Sequence, residues 1–234
     1  MARPRREFLG WLGASTVMAA TAGSPLAAQE PPPAAARPDG GPDGADRLVP
    51  VSAEWDVTWA DRIQGKHRAV FDSPGVSEGA ALFRAAMWRD QYKEVYGTPP
   101  EEMSAVVVIR HTAIPLAMGD AYWARFGIGK EEKLKDPATR KWYVTNPVRT
   151  PWSPEPRWTA YGLEGFMASG GIVLACNLAF RMVVAKFREA DKSTREEAEA
   201  AARALLIPGI ILQPSGIFAA LRAQQAGCSY IMAS

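Results

Sequence analysis

Cys176 and Asn177 close an apolar run, Gly171-Ile172-Val173-Leu174-Ala175, and stand where a helical pattern through Phe187 begins. A cysteine at that junction is the first candidate for chemistry. The thiolate is the reactive form of cysteine, and the dipole and free N–H groups of a following helix favour it. Arg110 and His111 close a second apolar run, Ala105 to Ile109, and so bring a fixed cation and a group that titrates near neutrality to a comparable junction. Asp72, before Ser73-Pro74-Gly75, and Gln213 and Ser215, on either side of Pro214, add polar groups at further run ends. Together they would support attack by the Cys176 thiolate on a small electrophile. His111 would assist as general base, and Asp72, Arg110, Asn177, Gln213 and Ser215 would contact the ligand.

Each of these residues has a plainer reading. Ala-Cys-Asn at a strand end can be a small buried contact, because free cysteine is among the most buried residue types. A histidine at a loop start is often satisfied by a neighbouring carbonyl, and Asp before Ser-Pro is a turn former. Two histidines 44 residues apart and two cysteines, Cys176 and Cys228, offer none of the usual metal-ligand spacings. Gly127-Ile128-Gly129 lacks the third glycine and the preceding strand of a dinucleotide fingerprint, and Ser215-Gly216 lacks the nucleophile-elbow sequence. No metal and no cofactor is expected.

The elements that must position these groups alternate. A strand over 67–72 is followed by a helix over 79–96 with Leu82, Phe83, Ala86, Met87 and Val95 at helical spacing. The β-branched run 105–109 has no polar face, which marks a strand buried on both sides, and a helix follows near 119–126. The strand 171–176 leads into a helix with Asn177 as N-cap. Ser193-Thr194-Arg195-Glu196-Glu197 opens an alanine-rich helix, 209–212 is a strand, 216–226 a helix and 229–232 the last strand. Such alternation predicts an α/β fold of three layers, a mainly parallel five-stranded sheet with helices on both faces.

The final third resembles a known family. Gly171-Ile-Val-Leu-Ala-Cys176-Asn177, then Leu206-Ile-Pro-Gly209-Ile-Ile-Leu-Gln-Pro-Ser215-Gly216-Ile-Phe, then Gln224-Gln225-Ala-Gly227-Cys-Ser-Tyr230-Ile231 is similar to the C-terminal half of DsrE/DsrF-like proteins of the intracellular sulfur-reduction superfamily. The resemblance implies a flavodoxin-like strand order, 2-1-3-4-5, with ligands beyond the carboxyl ends of the strands near the order reversal. It implies a persulfide-carrying role for Cys176, a small sulfur or thiol-reactive ligand, and self-association into a homo-oligomer. Parallel strands would gather Asp72, Arg110, His111, Cys176, Asn177, Gln213 and Ser215 on one sheet edge and Cys228 on the other. A strand of four to six residues is about 13–20 Å long, so an intrachain disulfide is not expected.

Residues 127–159 interrupt the pattern with Trp142-Tyr143, Pro147, Pro151-Trp152, Pro154, Pro156 and Trp158. Long aromatic loops in compact domains are lids, binding loops or contact surfaces. Trp142, Trp152 and Trp158 are therefore candidates for docking on a membrane-associated complex, or they fold back over the sheet's own helices. Trp55 and Trp59 are further covering residues.

The N-terminus sets the compartment. Arg5-Arg6 precedes Phe8-Leu9, a weakly apolar stretch follows, and Pro25-Leu26-Ala27-Ala28 is a small-residue cleavage site, the pattern of a twin-arginine signal over 1–28. An uncleaved leader would instead anchor the chain, because 21 residues make a helix of about 30 Å. Residues 29–50, rich in Pro, Gly and Ala, read as a disordered tether before a domain over 51–234. The whole chain of 234 residues has 27 basic and 25 acidic side chains; three arginines and one glutamate lie in 1–28, so the remainder is neutral. That balance gives no reason to expect a nucleic-acid partner. Two readings stand: a periplasmic DsrE-like protein handling sulfur through Cys176, or a non-catalytic binding or assembly subunit.

The leader reading predicts export that depends on the arginine pair. An Arg5→Lys, Arg6→Lys double variant should stay in the cytoplasm with its leader attached, as seen by fractionation and intact mass; unchanged export would count against the twin-arginine route.

Overall fold

The computed structural model describes residues 54–151 and 153–234. The leader and tether expected over 1–50 lie outside them, as does Trp152. Strand β1 (His67–Ser73) leads to helix α1 (Ala80–Tyr96), which stops at Gly97 in the left-handed conformation. Strand β2 (Met103–Ile109) passes into a 3-10 segment (His111–Ala117), helix α2 (Asp120–Phe126) and a short helix α3 (Ile128–Glu131). A 3-10 turn (Pro156–Tyr161) and helix α4 (Leu163–Ala168) precede strand β3 (Ile172–Cys176). Helices α5 (Asn177–Asp191) and α6 (Arg195–Ala204), strand β4 (Ile211–Gln213), helix α7 (Gly216–Gln225) and strand β5 (Ser229–Met232) complete the fold. Thr194 caps α6 in a reciprocal capping box with Glu197, as the Ser-Thr-Arg-Glu-Glu sequence requires.

All five strands are parallel, in the order β4-β3-β2-β1-β5. The expected order 2-1-3-4-5 is therefore corrected: β2 separates β1 from β3, and β5 lies on the outer side of β1. The physical reason is burial. All seven residues of β2 are buried, so it takes the centre, where neighbours and helices cover it on every side. Strand β5, whose four residues are all exposed, and the three-residue β4 take the edges, where short strands limit the unpaired backbone.

From β1 to β4 the chain steps steadily across the sheet, and the connection after β4 returns over it through α7 to β5. Two cores result. On one face Phe71, Val107, Ile109 and Val173 meet Phe166, Phe180 and Phe187 from α4 and α5. On the other, Val70, Val106, Val108 and Leu174 meet Ala219 and Ala223 of α7, with Trp59 wholly buried over them, as expected of a covering tryptophan. Both cysteines are free. Cys176 ends β3 at the carboxyl edge, while Cys228 immediately precedes β5 at the amino edge, and two strands lie between. That lateral offset of about 14 Å adds to the offset along the strands and keeps the thiols apart.

Candidate functional site

At the carboxyl edge an ion pair joins two strand ends. Asp72, almost wholly buried at 1% exposure near the end of β1, accepts from Arg110 Nε at Oδ1 and from Arg110 Nη2 at Oδ2, both at 2.8 Å. Tyr230 Oη of β5 donates to the same Oδ2 at 2.6 Å. Arg110 can approach because α7 begins with Gly216, where a Cβ would lie 2.5 Å from the arginine Cβ. The hydrogen bond to Asp72 is the main cause that raises the Arg110 pKa, and the same carboxylate holds the Tyr230 proton in place and raises its pKa. The carboxylate thus has three donors, and its neighbours hold their protons more firmly than usual. This is a clamp, not an acid–base pair.

Cys176 is 6% exposed, and its Sγ accepts the Ala179 N–H at 3.4 Å. It is itself the N-cap of α5; Asn177, expected there, is the first helical residue. His111 is exposed in a left-handed conformation at φ 51°. Among the described residues no hydrogen bond or ion pair joins Cys176 to His111, Arg110 or Asp72. Gln213 is buried and gives its Nε2 to the carbonyl of Asp56 at 2.7 Å, and Ser215 caps α7 through the Phe218 N–H. Of the residues singled out by sequence, the fold thus joins Asp72 and Arg110 and gives the others separate duties.

The insertion builds what sequence reasoning did not locate. Together with the first turn of α1 it encloses a cleft of about 550 Å³, lined on the helix side by Ser77, Glu78, Ala80 and Phe83. Ser77, Glu78 and Gly79 have φ of 39°, 53° and 80°, a run of left-handed residues of the kind that clusters at ligand clamps. Tyr143, Val148 and Lys135 form the opposing wall. Burial raises the pKa of both Tyr143 and Tyr161, and Tyr161 donates to Asp90 Oδ2 at 2.8 Å, so the cleft's phenols are neutral hydroxyls.

That wall is fastened. Asn146, 4% exposed, donates Nδ2 to the carbonyls of Leu116 and Met118 at 2.8 Å and accepts the Val148 N–H at 3.0 Å. Arg149 spans Asp120 at 2.7 Å and Glu164 at 2.6 Å. Trp142 lies under the Lys135 ammonium at 4.6 Å, and Trp158 packs edge-on to Tyr161 at 5.1 Å. Nothing in the sequence pattern pointed to Asn146, because its partners are carbonyls some 30 residues away.

Removing Arg110 strands the Asp72 carboxylate, and a buried charge without its partner costs about 3–5 kcal/mol. Arg110→Ala should therefore lower unfolding free energy in urea by that order, whereas Tyr230→Phe, at a half-exposed position, should cost about 1 kcal/mol. Equal small losses would show that the clamp carries little of the edge's stability.

No protein-family model, curated protein or solved structure matches the chain, and the chemistry of these sites rests on their own geometry.

Proposed function

We propose that this protein is a non-catalytic binding module that takes a small amphipathic molecule in the cleft between α1 and the insertion, and that it works outside the cytoplasm. The observation that carries this reading is the cleft, a 550 Å³ space with a fastened wall. Its size falls within the range of small-molecule sites, and apolar Phe83, Leu134, Val148 and Pro147 dominate its lining. The neutral phenols and the Lys135 ammonium supply the few polar groups that would orient one end of the ligand. A catalytic role is less well served: the buried carboxylate already accepts three donors, and the phenols stay protonated near neutrality, which leaves no phenolate to act as a base.

A second reading, sulfur handling by a DsrE-like chain, has one observation in its favour. The Cys176 Sγ caps a 15-residue helix and accepts the Ala179 N–H there, so the sulfur stands at a helix start on the carboxyl edge of the sheet. Its low exposure weighs against access by a sulfur donor.

Native mass spectrometry of protein from its own compartment tests the first reading. A noncovalent mass excess should be present, should persist in Cys176→Ala, and should vanish when Ala80→Trp fills the cleft. An unliganded mass, or an excess indifferent to Ala80→Trp, would overturn it.

Thiol labelling separates the two readings. Burial pushes the Cys228 thiol up to about 11, so near neutrality its thiolate fraction is about 100-fold below that of an ordinary thiol. Under the binding reading Cys176 should alkylate as slowly as this internal reference. Rapid alkylation of Cys176 at pH 7, or a sulfur adduct on it, would favour sulfur chemistry instead.

A further inference from the structure

A second concavity shares no residue with the cleft. Helices α5 and α6 pack on each other and leave a groove of about 430 Å³, with Arg181 and Arg188 on one wall and Arg195 and Arg203 on the other. The arginines of α5 are seven residues apart, two helical turns, and so share one face about 10 Å apart. Arg203 is held by Glu199, with Nε and Nη2 at 3.0 and 2.8 Å from one carboxylate oxygen, and its guanidinium stands 5.8 Å from the Phe180 ring centre. Arg181, Arg188 and Arg195 have neither ion pair nor hydrogen bond among the described residues.

Three uncommitted guanidinium groups in one concavity are a departure for a domain whose charges otherwise balance. Elsewhere on the surface Arg125 meets Asp191, Arg149 meets Asp120 and Glu164, and Arg157 meets Glu155. Arg84 and Arg140, which have no carboxylate partner among the described residues, stand outside the groove; what sets the groove apart is that three such groups share one concavity. In the groove Glu199 is already spent on Arg203, which leaves Glu54 as the one other acidic lining residue. The floor is not wholly polar. Trp55 lines it beside the cations, Phe180 lies buried beneath Arg203 at its base, and Asn177 supplies an amide at the start of α5.

We propose that this groove binds a small organic polyanion, phosphorylated or polycarboxylate, with its flat or apolar portion against Trp55. Guanidinium forks match phosphate and carboxylate oxygens two at a time, which is why arginine is favoured over lysine for such ligands. Concavity and volume suit a small molecule better than a membrane surface, which a flat basic patch would serve. The site is separate from the cleft under the insertion and shares no lining residue with it. Its test therefore stands independently of the cleft's ligand.

Isothermal titration calorimetry of the full domain at low ionic strength, with pyrophosphate and citrate as probes, decides it. At least one probe should bind with sub-millimolar affinity, weaken at least tenfold in an Arg181→Gln, Arg188→Gln double variant, and weaken further with added salt. These arginines are exposed and unpaired, so the variant should fold; its thermal transition is the check. Arg84→Gln, on the exposed face of α1, should bind as the parent does. Preference for pyrophosphate or for citrate identifies the phosphorylated or the polycarboxylate ligand. The proposal is overturned if neither probe binds, if the double variant binds as well as the parent, or if only a glutamate-rich peptide binds, which would make the groove a protein-docking surface.

Discussion

The carboxylate of Asp72 is the point on which the sheet's outer half depends. Strand β5 is an edge strand of four exposed residues, too short to hold its place through backbone pairing alone. It is tied inward by the Tyr230 hydroxyl on the Asp72 side chain and by the Ala233 N–H on the Asp72 carbonyl at 2.9 Å. From the other side Arg110 binds the same carboxylate just beyond β2, and α7 lies against that arginine through Gly216. One buried charge thereby joins three adjacent strands and the returning helix. Such a group is costly to desolvate, and its value lies in fixing which strand ends meet.

Much of this was legible in the chain. The five strands and the major helices fall close to where periodicity, Gly97 and Thr194 put them. Strand order was not read correctly, although the sequence carried the signal: Met103–Ile109 is apolar almost throughout, and such a strand belongs at the centre of a sheet. Asp72 and Arg110 were chosen because both stand at strand ends, and they do meet. Their bond makes them a clamp, a distinction that depends on Tyr230 arriving from 158 residues away. The same limit applies to Cys176, whose position was evident and whose burial was not.

The cleft and the arginine groove were missed for different reasons. The groove had a one-dimensional trace, since Arg181 and Arg188 recur at seven residues on a helix. The cleft had almost none. Its wall is an irregular segment with one short helix, shaped by close backbone approaches that only glycine permits: a Cβ on Gly129 would lie 2.1 Å from the Tyr143 carbonyl oxygen, and one on Gly165 2.0 Å from that of Thr159. Such contacts cannot be inferred from composition, and a proline- and tryptophan-rich loop gives no periodicity to read.

The way Asn146 fastens that wall separates two properties that loops usually confound. Its side chain uses the carbonyls of Leu116 and Met118 and an amide of its own segment, so the insertion's attachment does not depend on the residues facing the cleft. Lys135, Pro137 and Thr150, which line the cleft and take no part in the Asn146 hydrogen bonds, can change without loosening the anchor. The segment's anchorage and the chemistry of its exposed surface are thus set by different side chains.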